Sequence, residues 1–195
     1  MDRSAFEAHL LRRVHFNAAE LALINEAFTP HELPRKGFLL RAGDVALHDH
    51  YVLNGCLRTY MIDREGHEFD VAFAVEDWWV GDQQSLHNGE PSYLFIQALE
   101  PSALLRVERR RLEQLYEQVP RMERFFRLLL ARAFYTAQDR IHEEHALSVQ
   151  ERLLRCRKRY PWLEQRVPQK HIASYLGITP EFLSKNRRKL LGLDP

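Results

Sequence analysis

The chain has 195 residues, room for one large or two small domains, with 45% hydrophobic and 28% charged residues. No window approaches the roughly 18 to 20 apolar residues of a membrane-spanning helix, and the amphipathic N-terminus MDRSAFEAHLLRRVHF does not follow the pattern of a signal peptide. Two cysteines, Cys56 and Cys156, suit a reducing cytoplasm and exclude a cysteine-ligated iron–sulfur cluster, which takes about four thiolates.

An N-terminal helical part runs to about residue 28, with Asn17 placed to cap a helix from Ala18 and Thr29-Pro30 ending it. From Leu33 the grammar changes to short β-branched or aromatic runs punctuated by glycine and charged pairs. Strands are expected near residues 37–41, 51–62, 68–74, 92–98 and 103–107, with Gly66 supplying positive φ in a hairpin turn after Asp63, Arg64 and Glu65. Many short strands at this spacing indicate a compact antiparallel barrel or roll. Helix returns at residues 109–118, and Pro120 starts a longer one. There Met122, Phe126, Leu129, Ala133 and Thr136 recur at alternating steps of four and three, and Phe125, Leu128 and Leu130 widen the stripe. Such a face is wide enough to pack on the roll and on a partner chain together, which predicts a homodimer; a single-chain core helix is the alternative.

Ser148 is placed to cap a helix over residues 149–160, which Pro161 ends; Trp162 and Leu163 cover its end. Residues 168–190, PQKHIASYLGITPEFLSKNRRKL, then read as two short helices around a turn. Ile172, Ala173 and Leu176 form one apolar face, Gly177 ends the first helix, and Ile178 plugs the corner. Thr179 and Pro180 are a good N-cap and first residue for a second helix that buries Phe182, Leu183 and Leu190. It exposes Glu181, Ser184, Lys185, Arg187, Arg188 and Lys189. A Gly-containing turn before a capped basic helix fits the helix-turn-helix, whose second helix enters the major groove; an ordinary helical hairpin with a solvated face is the rival. Residues 149–191 hold eleven Lys/Arg against three Asp/Glu, so a chain of net charge +1 leaves −7 on the remainder. A basic module on an acidic body is what phosphate contact requires.

The architecture expected is therefore α+β: an N-terminal antiparallel β-roll with flanking helices (1–119), a long dimerisation helix and hinge (120–147), and a C-terminal helix-turn-helix domain (148–195). That order resembles the Crp/Fnr family of bacterial transcription regulators. The carriers are YVLNGCLR at 51–58 followed by Gly66, DWWVGDQQS at 77–85, QALE at 97–100 and IASYLGITPEFLS at 172–184. They look most like a branch with shortened DNA-binding domains, where Pro168-Gln169, Ile172-Ala173 and the run Leu176 to Glu181 form a frequent phrase.

The resemblance implies a cyclic-nucleotide-binding-like roll and double-stranded DNA as partner, with RNA polymerase a further candidate. Two departures qualify it. Cyclic-nucleotide-binding members carry a Gly-Glu pair and, roughly ten residues on, an arginine, which together hold the cyclic phosphate and ribose. Here the pair is Gly81-Asp82 and the arginine position falls on Ser92, beside Tyr93, so the bidentate guanidinium contact is lost. Arg58 and Arg106 are the candidates to replace it. The effector is then another small molecule, or none, with Asp82, Gln83, Gln84 and Ser85 at the pocket mouth. The alternative for these four is a plain helix cap. In the second departure the chain stops five residues after Leu190, without the β-hairpin wing, and Pro180, Glu181 and Lys185 stand where the family's recognition helix carries Arg-Glu and a further arginine. Glu181 still accepts from cytosine and Lys185 donates to guanine, without arginine's fork. Gln169, Lys170 and Thr179 complete the expected DNA-binding set.

His48 and His50 flank Asp49 in an expected loop, and His142 and His145 lie near a helix end, but neither pair has a third ligand nearby, so neither zinc nor haem ligation is expected. Asp82 and Glu100 are isolated carboxylates, and no nucleophile–base set stands in a convincing context; no enzyme is expected. The mechanism implied is a population shift, in which a ligand in the roll touches the long helix near Tyr135, Thr136 and Gln138 and favours one spacing of two recognition helices. Rival readings are an ordinary cyclic-AMP- or cyclic-GMP-responsive regulator, and an interaction module that does not bind DNA.

Overall fold

The structure, a computed structural model, describes the backbone of residues 2–190 and the side chains of residues 2–186. Two helices lead in, α1 (Ser4–Leu11) and α2 (Ala18–Ala27). Asn17 caps α2 as expected: its side chain accepts from the Glu20 N–H at 2.9 Å while Glu20 accepts from the Asn17 N–H at 2.8 Å. The roll follows as β1 (Thr29–Leu33), β2 (Phe38–Leu40), β3 (His48–Asn54), β4 (Leu57–Ile62), β5 (Glu68–Ala74), β6 (Trp79–Val80), α3 (Gln83–Asn88), β7 (Phe95–Ala98) and β8 (Ser102–Glu108). These strands form two four-stranded antiparallel sheets, ordered β1-β8-β3-β6 and β2-β7-β4-β5. Then come α4 (Arg109–Gln118), α5 (Arg121–Ala146), α6 (Val149–Arg159), α7 (Leu163–Arg166), α8 (Gln169–Tyr175) and α9 (Pro180–Leu190). The α+β architecture with a β-roll is as the sequence predicts.

Of the strand expectations that change, two have a plain local cause. The single strand over 51–62 is two strands, broken where Gly55 adopts φ +118° and passes so close to Ser102 that a Cβ would meet its Oγ at 2.1 Å. Thr29-Pro30 does not merely end a helix but opens β1, an edge strand, where proline's missing N–H costs no ladder bond.

The core has three parts. Leu33, Leu40, Val52, Leu57, Ile96 and Leu104 fill the space between the sheets. Against the outer face of the first sheet pack Phe6, Ile24, Phe28, Met122, Phe125 and Phe126. Helix α1 is also pinned there by polar contacts: His9 Nδ1 meets Asp77 Oδ1 at 2.7 Å, Tyr51 donates to the same oxygen at 2.9 Å, and Trp79 donates to His9 Nε2 at 3.1 Å. Asp77 accepts this at φ +72°, a strained conformation for a non-glycine residue.

The expected dimer seam is corrected by these packings. Met122 and Phe126 are buried in the chain's own core, Leu129 packs against it, Thr136 is half-buried and Ala133 is exposed. The unpartnered apolar stripe of α5 lies further along, at Leu130, Phe134, Ala137 and Ile141, again at steps of four and three.

The division expected at 147/148 coincides with the break between α5 and α6, where Ser148 caps α6 in a capping box with Glu151. It is not a break in packing. Cys56, Phe73 and Val75 of the roll share one hydrophobic cluster with Leu153, Cys156, Tyr160, Ile172, Ala173 and Leu183 of the C-terminal helices.

Candidate ligand cleft and nucleic-acid interface

The segment after β6 turns at Gly81, where an added Cβ would lie 2.8 Å from Asp49 Oδ1; only glycine lets that buried carboxylate approach. Asp82 then caps α3, its Oδ1 accepting from the N–H groups of Gln84 (3.0 Å) and Ser85 (3.2 Å). Its other oxygen accepts from Ser92 Oγ at 2.6 Å, and Ser92 in turn accepts from the Leu94 N–H at 2.9 Å. Ser85 accepts from the Ala46 N–H and donates to the Glu90 carbonyl. Asp82, Ser85 and Ser92 are thus buried and bonded to one another or to backbone, so the segment is closed on itself. Gln83 donates to Asp49 Oδ2 at 2.8 Å, while Gln84 and Tyr93 are exposed.

A cleft of about 630 Å³ opens beside this segment, between the sheets. Of the residues expected at the pocket, Gly81 and Asp82 line it; Gln83, Gln84, Ser85, Ser92 and Tyr93 do not. Tyr135, Thr136 and Gln138 lie on α5 away from it within this chain, with Tyr135 and Gln138 exposed. Arg106 lines the cleft but Arg58 is turned the other way. The Arg58 guanidinium, buried, binds Gln97 Oε1 at 2.8 and 3.1 Å, Glu68 Oε2 at 2.6 Å and His171 Nδ1 at 2.9 Å. It serves the junction with α8.

The cleft's polar wall was not foreseen. His48 and His50 sit in β3 rather than in a loop, and strand alternation sends both side chains to the face that also carries Arg106 of β8 and His31 of β1. The signal was present in the period-two spacing of His48 and His50. Their ring centroids lie 6.1 Å apart, and those of His31 and His50 6.0 Å. Burial lowers the pKa of all three, that of His50 to about 3, and Arg106 reinforces the effect. His142 and His145 are exposed near the end of α5, and Glu100 is paired with Arg166.

Helices α8 and α9 are joined by a tight turn. Helix α8 ends in a Schellman turn: Gly177 has φ +67°, its N–H reaches the Ser174 carbonyl at 3.0 Å, and the Ile178 N–H reaches Ala173 at 3.0 Å. Thr179 Oγ1 accepts from the Phe182 N–H at 3.1 Å, capping α9. Leu183 is buried, but Phe182 is 45% exposed, contrary to expectation. Thr179, Pro180, Glu181, Ser184 and Lys185 are exposed on and before α9, and Gln169 and Lys170 are exposed at the start of α8. The side chains of Arg187, Arg188, Lys189 and Leu190 lie outside the described residues. Helix α8 is clamped to β5: Ser174 Oγ accepts from the Asp70 N–H at 2.9 Å and donates to the Glu68 carbonyl at 2.8 Å, and His171 Nδ1 meets Asp70 Oδ2 at 3.0 Å.

Residues 30–119 match the cyclic nucleotide-binding domain family. Over the longer span, the chain is similar to the c-di-GMP-responsive global regulator CLP of Xanthomonas campestris, with 17% identity, 90% and 92% of the two chains covered and a TM-score of 0.73. It is also similar to the catabolite activator protein of Thermus thermophilus, with 20% identity, 94% and 87% coverage and a TM-score of 0.60. A transcriptional regulator of the Crp/Fnr family from Eubacterium rectale aligns at 17% identity over 89% and 83% of the chains, TM-score 0.69. The fold is the one these three solved proteins share. Among curated proteins no sequence matches the chain. No helix among the described residues is long and apolar enough to cross a membrane.

Proposed function

We propose that the protein is a homodimeric, cytoplasmic, non-enzymatic DNA-binding transcription regulator whose β-roll senses a small molecule other than a conventionally held cyclic nucleotide. The observation that carries the DNA reading is the Schellman-joined, capped α8–α9 pair, which presents Glu181, Ser184 and Lys185 to solvent at the end of a chain with this fold. Leu130, Phe134, Ala137 and Ile141 of α5 support dimerisation, since an exposed stripe at coiled-coil spacing is buried by a second copy of the same helix. Two recognition helices then face half-sites about one helical turn, roughly 34 Å, apart. Glu181 and Lys185 choose the sequence, and Arg187, Arg188 and Lys189 contact phosphates.

The closed Asp82–Ser92 segment supports an effector other than cyclic AMP or cyclic GMP: both Asp82 oxygens already accept hydrogen bonds, and no guanidinium stands at Ser92. Calorimetry with both cyclic nucleotides tests that, and micromolar binding contradicts it. A gel shift on promoter DNA from the protein's own locus tests the regulator reading. Salt-sensitive retardation by a dimer supports it; binding to no fragment favours an interaction module.

A further inference from the structure

His31, His48, His50 and Arg106 come from three adjacent strands, and the sheet register sets His50 directly opposite Arg106. None of the four is held in an ion pair among the described residues. His50, only 7% exposed, leaves Nδ1 without a hydrogen-bond partner, and Arg106 leaves Nε buried and unpartnered. Buried polar atoms are almost always satisfied, so these two orphans on facing side chains of one cleft are open to a partner there. Its charge follows from the lining. A metal ion would meet the fixed positive charge of Arg106, and a neutral apolar molecule would leave that charge uncompensated in the wall. An oxyanion offers lone pairs to the guanidinium and to imidazole N–H groups alike.

We propose that this cleft is an oxyanion site, in which Arg106 and His50, flanked by His31 and His48, hold the carboxylate or phosphate of a small molecule. The apolar body of that molecule lies on Phe38 and Ile96, which line the same space. Asp44 and Asp82 also line the cleft, and Glu108 acts on His48, so a bare multiply charged anion is disfavoured against one with a body that keeps its charge near Arg106. The anion is therefore displaced from the Gly81–Ser92 segment onto strands β1, β3 and β8. This deepens the sensor reading and rests on it for biological meaning, but binding is measured without DNA, so the two can fail separately.

Calorimetry on the full chain at pH 7 with phenyl phosphate, phenylacetate and inorganic phosphate is the test. One site per chain is expected for phenyl phosphate or phenylacetate, bound more tightly than inorganic phosphate, and the preferred probe distinguishes a phosphate from a carboxylate ligand. Arg106→Gln should weaken it about tenfold or more. His48→Gln, at a half-exposed position, should weaken it less while keeping the native melting temperature, which serves if Arg106→Gln folds poorly. No binding by any of the three at millimolar concentration overturns the site. So does binding indifferent to both substitutions, or an organic probe no tighter than inorganic phosphate. Loss of DNA binding with oxyanion binding intact would instead count against the regulator reading.

Discussion

Asp49 and His50 are consecutive in β3, so strand alternation buries them on opposite faces of one sheet. Burial pushes the Asp49 carboxyl up to about 6 and the His50 imidazole down to about 3, the latter helped by His31 and His48. The raised Asp49 value contributes stability that is full below pH 4 and lost as pH rises through about 6; the depressed His50 value is lost as pH falls below its ordinary range toward 3. Asp49→Asn should therefore stabilise the chain at pH 7, by up to about 3 kcal/mol, and not at pH 4. Urea melts at the two pH values measure this, and an equal effect at both contradicts it. At the same scale, the Asp82 cap of α3 was legible in the sequence, because an aspartate ahead of a short helix reads as a cap without coordinates. Choosing between Arg58 and Arg106 was not. Which way a strand residue faces depends on a register that only the folded sheet supplies.

Among the elements, those whose ends are written in capping chemistry were legible. Asn17, Ser148, Thr179 and Gly177 each do what their residue type suggests. β1 was missed because Pro30 reads as a stop, and proline is tolerated there only because the strand is an edge. For α5, a stripe of apolar residues does not say whether its own chain or a second copy covers it. Met122 and Phe126 are taken by the chain's own core, leaving Leu130, Phe134, Ala137 and Ile141. Phe134→Asp should give monomers by light scattering with the fold retained, whereas Met122→Ala should cost about 2–5 kcal/mol of stability. Dimers that survive Phe134→Asp would place the interface elsewhere. Gly177→Ala forces a Cβ into the left-handed region at φ +67° and should cost about 1 kcal/mol, with a matching loss of DNA affinity if α8 and α9 lose their angle.

In the whole molecule, the helix-turn-helix does not hang from a hinge as a separate body. Its first helix is bonded to β5 through Ser174 and His171, Arg166 pairs with Glu76 and Glu100, and Phe73 of the roll lies in the same cluster as Tyr160 and Tyr175. Sequence alone separates residues 148–195 by charge and pattern, but burial across that boundary involves single residues, Cys56, Phe73 and Val75, that look like ordinary strand interior. Calorimetric melting should accordingly show one transition in which roll and C-terminal helices unfold together, and two separated transitions would contradict the shared core. Strands β4 and β5 thus connect the roll directly to α8.

All of this matters to function only if the exposed face of α9 meets DNA. Fluorescence anisotropy of a labelled promoter fragment, titrated with the full chain over a range of salt, measures that most directly. Two chains per fragment are expected, with affinity falling linearly with salt on logarithmic axes and a Lys185→Ala variant whose preference among fragments changes while most of its salt dependence remains. Binding that is absent at low salt, or equally strong on every fragment for both proteins, would contradict it.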